Sequence, residues 1–360
     1  MSYKNKFIII GVVAALILTA GKLLYAEQED SSAAVFNFIN KNFVLENGAV
    51  LIRSTDKNTV LSESVGLYLI ACVRLNERKL FDRAYAFAQE NLLSDKGIFY
   101  WRINLKSGKK DCSSASIDDL RIAEALCLAG EAWRDVSYRD EALKISRAIL
   151  NLECKDGYMV DSFSWDKTGQ HTSSVVNISY LDLAAMQRLA KYDPVWRVVY
   201  ENSKKIILDS PIKSGLFAEN YDLSTKKFSH KDGNMINQLL TALYLSQIGV
   251  PKEEIRLYDF LKAEFLKRGK ICNSYNASGK PKNNYETSAV YALASRMFYY
   301  FQDTKYTQKT LDRMYLFEIK DKEDPFFGGF GMFNPKEEKV FNSFDSLNAL
   351  LAITEDKSDG

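Results

Sequence analysis

One glycine context recurs six times along the chain, and this repeat limits the possible folds more than any other feature. Each glycine follows a helical segment and a turn and precedes apolar residues, and successive copies lie about 50 to 60 residues apart. Glycine commonly ends helices because it adopts the left-handed conformation at little steric cost. The six copies are Gly48, Gly97, Gly157, Gly215, Gly269 and Gly328.

The segments between these glycines predict two kinds of helix. A helix that is apolar on all sides is buried, whereas a helix with a polar face lies on the outside. Outer helices are indicated by "DEALKISRAILNLE", "PVWRVVYENSKKIIL" and "KEEIRLYDFLKAEFLKRG". Strand-like signals such as "GIFYWRIN" are short and fall in the connections. The inner segments are "SESVGLYLIACVRL", "DDLRIAEALCLAGEAW", "NISYLDLAAMQRLA", "DGNMINQLLTALYLSQ", "YETSAVYALASRMFYY" and "FDSLNALLAI". Six inner helices alternating with about six outer ones predict an all-α fold, an (α/α)6 barrel.

In such a barrel all inner helices run in one direction, so their N-termini meet at one end. Five of them carry a carboxylate near that end: Glu63, Asp119, Asp232, Glu286 and Asp345. We interpret the last two as structural. Aromatic residues make up 12% of the chain, enough to line a cleft there as well as fill a core. An acidic, aromatic cleft favours a neutral or cationic ligand, and carbohydrate is the natural candidate.

The stretch "SIDDLRIAEALCLAGEAW", from Ser116 to Trp133, leaves two interpretations open for its adjacent aspartates. Asp118 and Asp119 can simply start the helix, since negative charge is favourable at a helix N-terminus. They can also face the shared cavity and take part in chemistry.

The N-terminal segment, "MSYKNKFIIIGVVAALILTAGKLLYA", predicts export from the cytoplasm. Two lysines precede an apolar run from Phe7 to Gly21, as in a secretory signal. Together with the apolar residues after Lys22, the run approaches the roughly 20 residues that span a bilayer. Residues 1–28 are therefore expected to be a signal peptide or a membrane anchor, and 29–356 a single barrel domain. The protein is expected outside the cytoplasm, either secreted or anchored to the membrane.

Charge and residue usage argue against several classes of function. The net charge is +2 without a basic stripe, so nucleic acid is not an expected partner. Five scattered cysteines form no CxxC pair and argue against a disulfide framework or a structural zinc site. With only two histidines, His171 and His230, no metal or cofactor is expected. We expect a monomer acting on a polysaccharide.

Paired carboxyl groups suit glycoside hydrolysis. One group, with a raised pKa, protonates the leaving oxygen, and the other acts as base or nucleophile. Burial and a neighbouring carboxylate are the factors that raise such a pKa.

The start of the first inner helix resembles glycoside hydrolase family 8. In that family a Ser-Glu pair precedes a Gly and a Tyr, and the glutamate is the general acid. The matching residues here are Glu63, Gly66 and Tyr68. The following "GIFYWRI" also resembles the family, and we expect Trp101 and Arg102 to contact sugar.

The second inner helix resembles the family signature A-[ST]-D-[AG]-D-x-x-[IM]-A-x-[SA]. The first signature aspartate is replaced by Ile117, and Asp118 falls where a small residue is usual. The resemblance implies that Asp119 holds the sugar at the cleavage point. The signature is matched by Ala115, Ser116, Asp119, Ile122, Ala123 and Ala125, and an A-x-x-x-[FW] element that follows it in the family is matched by Ala129 and Trp133.

The second half of the chain resembles the family more loosely. The stretch from Asn177 resembles an Asn-x-Ser-Tyr motif, which makes Tyr180 a candidate sugar contact. The family base lies in a Tyr-Asp-Ala-x-Arg context, which Asp232 matches only at the aspartate, because the neighbours are Lys231, Gly233 and Met235. Asp222 in "NYDLS" is a rival for the base.

Three hypotheses follow from the sequence. The first is an inverting, endo-acting glycosidase with Glu63 as acid and Asp232 as base. Its substrate is expected to be a β-linked bacterial exopolysaccharide, because the chain most resembles divergent, extracytoplasmic family members linked to exopolysaccharide production. The second is a polysaccharide-binding relative that has lost the base, which the altered surroundings of Asp232 favour. The third is another (α/α)6 enzyme, such as an epimerase, and the scarcity of histidine argues against it.

Overall fold

The computed structural model describes residues 31–166, 169–231, 233–333 and 339–355. Helices make up most of these ranges, as the sequence predicts. The α-helices found there are α1 (31–42), α2 (Ser62–Arg74), α3 (Arg78–Phe87), α4 (Ser116–Ala132), α5 (Val136–Leu152), α6 (Leu183–Leu189), α7 (Val195–Asp209), α8 (Met235–Gln247), α9 (Arg256–Arg268), α10 (Ser288–Tyr300), α11 (Thr304–Met314) and α12 (Ser343–Ile353).

The even-numbered helices are the apolar segments of the sequence, and they pack in a cycle. Helix α2 packs against α4, α4 against α6, α6 against α8, α8 against α10, α10 against α12, and α12 against α2. The odd-numbered helices α3, α5, α7, α9 and α11 each pack against the even-numbered helix that precedes them. The first and last members of the cycle meet where the hydroxyl groups of Ser64 and Ser343 lie 2.9 Å apart.

The six repeated glycines all adopt the left-handed conformation that the sequence predicts, with φ between 68° and 95°. Each of them follows an odd-numbered helix. Gly48 shows why a side chain is excluded, because an added Cβ would lie 2.3 Å from the carbonyl oxygen of Arg83. Gly48 therefore allows its connection to turn tightly against α3.

Short antiparallel strands occupy the connections between helices. Strands β1 to β3 form one sheet in that order, and β8, β9 and β10 form another with β9 in the middle. The remaining strands pair two by two: β4 with β5, β6 with β7, β11 with β12 and β13 with β14. The strands are β1 (Leu51–Arg53), β2 (Asp56–Leu61), β3 (Arg102–Asn104), β4 (Cys154–Lys155), β5 (Tyr158–Met159), β6 (Phe163–Asp166), β7 (Gly169–Thr172), β8 (Val175–Asn177), β9 (Asn220–Asp222), β10 (Lys227–Ser229), β11 (Gly233–Asn234), β12 (Ser274–Tyr275), β13 (Met332–Phe333) and β14 (Lys339–Val340).

Helix α6 is shorter than its apolar segment suggests. The segment from Asn177 begins with a 3₁₀ turn, and the α-helix starts only at Leu183. The side chain of Asn177 accepts a hydrogen bond from the N–H of Ser179 (3.1 Å), and that of Asp182 accepts one from Ala185 (3.0 Å). Because each side chain caps its own helical segment, the two do not merge.

The predicted signal or anchor, residues 1–28, lies outside the described residues. Within the described ranges, no helix combines the length and hydrophobicity needed to cross a bilayer.

Candidate active site

Glu63 lies in the first turn of α2, and a sheet fixes its position. Strand β2 runs directly into α2, and Leu61 at its end pairs with Arg102 of β3. The N–H of Ser62 then donates to the carbonyl oxygen of Trp101 (3.1 Å). The start of α2 is therefore held against the connection that carries Trp101 and Arg102.

A buried polar network lies beside Glu63. The Ser62 hydroxyl donates to Asp118 Oδ2 (2.7 Å), and Arg121 Nη1 donates to Asp118 Oδ1 (3.1 Å). Asp118 and Arg121 are each 5% exposed. Gly66 on α2 leaves room for the arginine, since an added Cβ would lie 3.2 Å from Arg121 Cδ. The network links α2 to α4 at the ends where both helices begin.

This environment gives Glu63 an unusual acidity. Burial raises the pKa of its carboxyl to about 7, the negative charge of Asp118 adds to the increase, and Arg121 opposes it. The Glu63 side chain still reaches solvent in part. A carboxyl group that keeps its proton near neutral pH and remains accessible can act as a general acid.

Asp119 points to a different environment from Asp118. It is fully buried, and its Oδ1 accepts a hydrogen bond from the backbone N–H of Phe99 (2.7 Å). Its Oδ2 has no hydrogen-bond partner among the described residues. Burial and then the charge of Glu153 raise the pKa of Asp119 well above its usual range. Glu153 is also fully buried and receives a hydrogen bond from Ser114.

The hydrogen bond of Asp119 has counterparts in other repeats. In each case a side chain on an even-numbered helix accepts the backbone N–H of the residue two positions after a repeated glycine. The pairs are Phe99 with Asp119 (2.7 Å), Phe217 with Gln238 (2.7 Å) and Ile271 with Tyr291 (3.1 Å). Because the same hydrogen bond recurs in other repeats, we assign Asp119 a structural role: it binds the connection at Phe99 to helix α4. The predicted sugar contact of Asp119 stays a prediction.

Three other predicted sugar contacts lie near Glu63 or on the connection beside it. Tyr180 is half-buried, and its pKa rises to about 12 through burial and the charges of Asp118 and Glu63. Trp101 is half-buried, and the exposed Arg102 guanidinium lies 4.8 Å from the centre of its ring. Arg102 therefore covers one face of the tryptophan, and its hydrogen bond to Asp111 (2.7 Å) holds it in that position.

The predicted base, Asp232, lies outside the described residues. Its rival Asp222 lies at the end of β9 and accepts backbone hydrogen bonds from Ser224 (2.8 Å) and Thr225 (2.7 Å). These bonds lower the pKa of Asp222, which is therefore ionised at neutral pH. They also give Asp222 a structural role, because they hold the turn between β9 and β10.

Glu286 and Asp345 have structural partners, in agreement with their interpretation. Glu286 receives two hydrogen bonds from Arg313 of α11, both 2.8 Å, which lower its pKa although burial opposes this. Asp345 accepts hydrogen bonds from the N–H of Ala289 (3.3 Å) and from Asn342 (3.1 Å). The charge of Glu286 is therefore largely neutralised by Arg313 at the end of the structure where the even-numbered helices begin.

Sequence reasoning missed Arg121 and Glu153. Arg121 follows Asp118 by about one helical turn, on the buried part of a largely apolar helix. That was the available signal, because a buried charge requires a partner. Glu153 gave no comparable signal, since it ends an amphipathic outer segment where a charge is ordinary.

A carboxyl group that keeps its proton near neutral pH, as Glu63 does, is one of the two groups that glycoside hydrolysis needs. The family comparison agrees: the model for glycosyl hydrolases family 8 matches residues 11–245. The chain belongs to this family, as its sequence motifs predict, and it is a glycoside hydrolase.

Individual proteins are also similar to this chain. YdaJ of Bacillus subtilis (strain 168) is 28% identical over 318 residues, which cover 88% of this chain and 84% of YdaJ. Endoglucanase A of Acetivibrio thermocellus is 26% identical over 303 residues, covering 77% of this chain and 60% of its own. The structure of a novel α-amylase from Clostridium perfringens matches with a TM-score of 0.81 and 27% identity, covering 90% of this chain and 97% of that one.

Proposed function

We propose that this hydrolase cleaves a β-linked bacterial exopolysaccharide within the polymer, with inversion, outside the cytoplasm. Glu63 is the general acid and Asp232 the general base. The observation that carries this proposal is the Glu63 carboxyl: it is accessible, lies beside Asp118, and has a pKa of about 7. We also propose that residues 29–356 form a single (α/α)6 barrel, which the cyclic packing of the even-numbered helices supports.

The chemical step follows from the protonation state of Glu63. Its proton moves to the glycosidic oxygen as the bond to the anomeric carbon breaks. A water molecule, deprotonated by the base, attacks that carbon from the opposite face, so the configuration inverts. An inverting pair needs about 6.5–9.5 Å between its carboxyl groups to admit the water. Asp222 is the alternative base, although the turn that it holds speaks against this role.

The linkage of the substrate has two candidates. A β-linked glucan is supported by the likeness to Endoglucanase A. An α-linked glucan is the second candidate, because the chain shares 27% identity with a protein described as an α-amylase. The location outside the cytoplasm is supported by the apolar N-terminal run, which predicts export. An exported hydrolase meets polysaccharides outside the cell, and this favours an exopolysaccharide as the substrate.

The experiment compares reducing-end release from three polymers: the producing organism's exopolysaccharide, carboxymethyl cellulose and starch. The proteins are the wild type, Glu63→Gln, Asp232→Asn and Asp222→Asn, with Glu46→Gln as a control at an exposed carboxylate. We expect release from a β-linked polymer, and its loss by about 10²- to 10⁴-fold in Glu63→Gln and Asp232→Asn. Starch as the only substrate would establish the α-linkage instead.

Two further readouts test the stereochemistry and the mode of cleavage. NMR of the first product should show the anomer opposite to the linkage cleaved, and viscosity should fall before much sugar is released. Wild-type activity in Glu63→Gln would remove Glu63 from the mechanism. Loss of activity in Asp222→Asn with Asp232→Asn intact would transfer the base role to Asp222.

A further inference from the structure

A cavity of about 590 Å³ lies inside the cycle of even-numbered helices, and all six of them line it. It extends from Arg121, in the second turn of α4, to Arg74 and Tyr300 in the last turns of α2 and α10. Glu63, at the opposite end of α2, does not line it. The volume falls within the range of small-molecule sites, about 300–1,000 Å³.

Cationic side chains outnumber acidic ones in the lining. The cations are Arg74, Arg121, Arg188, Lys191 and Arg296, and the acids are Glu124, Glu131 and Asp182. Burial and the charge of Asp182 raise the pKa of Glu124 to about 7. Burial also raises the pKa of Asp182. Glu355 pairs with Arg74 and Arg296, and Asp118 pairs with Arg121, although neither carboxylate lines the cavity. The cationic groups left for a ligand are therefore Lys191 and the Nε of Arg188.

Two of these arginines, Arg74 and Arg296, are held in place by Glu355, which does not line the cavity. Glu355, 3% exposed, receives two hydrogen bonds from Arg74, each 3.1 Å, and another from Arg296. The hydroxyl of Tyr300 also donates to Glu355 (2.8 Å). Because the guanidinium groups are already ordered, a ligand that meets them loses little of its binding energy to fixing their positions.

Arg188 of α6 has unused hydrogen-bonding capacity. Its Nη1 donates to Glu131 (2.5 Å), but its Nε is buried and has no hydrogen-bond partner among the described residues. The distance from Nε to Glu124 Oε1, 3.9 Å, is too long for a hydrogen bond. Glu131 and Lys191 are exposed, so the cavity reaches solvent beside Arg188.

We propose that this cavity is a second binding site, distinct from the hydrolytic one, for a small sugar that carries a phosphate or carboxylate group. Arg188, whose Nε has no hydrogen-bond partner among the described residues, and the nearby Lys191 bind the oxyanion, since the guanidinium fork matches both groups. Tyr244 and Tyr300 offer aromatic faces to the sugar ring, and Asn348 and Gln187 offer amides to its hydroxyl groups. The proposal does not depend on which polymer the enzyme cleaves.

Calorimetric titration of the full-length protein tests this site. The probes are glucose 6-phosphate, glucuronate, inorganic phosphate and uncharged glucose. We expect one or both sugar anions to bind more tightly than glucose. Their relative affinities distinguish a phosphate ligand from a carboxylate ligand. The affinity for inorganic phosphate shows how much of the binding free energy comes from the oxyanion alone. Absence of binding by both sugar anions, or equal binding of glucose, would overturn the proposal.

Variants locate the binding. Arg188→Gln removes a cation, and Ala184→Phe fills the cavity without a change of charge. We expect each to weaken binding of the sugar anion by about tenfold or more, that is, by about 1.4 kcal/mol or more. Arg197→Gln, at an exposed position of α7, removes the same charge elsewhere and should leave affinity unchanged. Full affinity in both Arg188→Gln and Ala184→Phe would place the ligand outside the cavity.

Discussion

Neutralising Asp118 should move the pH profile of hydrolysis in a defined direction. The charge of Asp118 contributes to raising the pKa of Glu63 to about 7, while Arg121 lowers it. In Asp118→Asn the repulsion disappears and the arginine remains, so the pKa of Glu63 should fall. Because a general acid must be protonated to act, the alkaline limb of the profile should shift to lower pH.

In the wild type, the fall of kcat/KM with rising pH can be calculated from the titration of Glu63 alone. With a pKa of about 7, the protonated fraction of Glu63 falls from roughly 0.9 at pH 6 to about 0.01 at pH 9. The ratio kcat/KM should therefore fall about a hundredfold between these values. The assay is initial-rate hydrolysis at low substrate concentration, because kcat/KM reports the pKa values of the free enzyme.

Asp140→Asn is the matched control, since it removes an exposed aspartate from outer helix α5. Its alkaline limb should coincide with that of the wild type. An Asp118→Asn limb that stays in place or moves to higher pH would refute the electrostatic reasoning. A wild-type profile that is flat up to pH 9 would refute the acid role of Glu63.

Three further predictions concern stability and are checked by thermal or denaturant unfolding. Asp119→Ala leaves the buried N–H of Phe99 without its acceptor and should cost about 1–3 kcal/mol, whereas Asp119→Asn keeps an acceptor and should cost less. Gly48→Ala should cost at least about 1–2 kcal/mol, because its left-handed φ disfavours a Cβ that would also meet the Arg83 carbonyl. Glu355→Gln should cost about 3–5 kcal/mol at neutral pH, since it weakens a buried pairing with two arginines. These arginines lower the pKa of Glu355 to about 2, so its contribution is complete above about pH 4.5 and is lost as the pH falls towards 2. Equal stability of the variants and the wild type would contradict these assignments.

The repeat was readable from the sequence because its signals are local. A left-handed glycine after a helix, and an apolar or amphipathic pattern within a helix, depend on residues close in the chain. All six glycines and the six even-numbered helices were therefore predicted, although α6 begins later than its apolar segment. Glu63 was placed at the start of α2 for the same reason, with the family motif as support.

The roles of Asp118 and Asp119 were not separable from the sequence. Two adjacent helical residues point about 100° apart, so the neighbours that each one meets depend on how α4 packs. The structure places Asp118 beside Ser62 and Arg121, and Asp119 beside Phe99 and Glu153. Ser62, Phe99 and Glu153 come from distant parts of the sequence, so no local pattern reveals them.

The cyclic packing has a consequence for how the chain can acquire its structure. Helix α12 completes the cycle by packing against α2, and Arg74 pairs with Glu355 across 281 positions of sequence. During synthesis, the apolar surface of α2 that α12 later covers therefore stays exposed until α12, the last described helix, has left the ribosome. Contacts of such long range also make folding slow, since chain entropy is lost before the closing contacts form. A truncation before α12 would remove the closure of the whole cycle and expose α2 and α10 together.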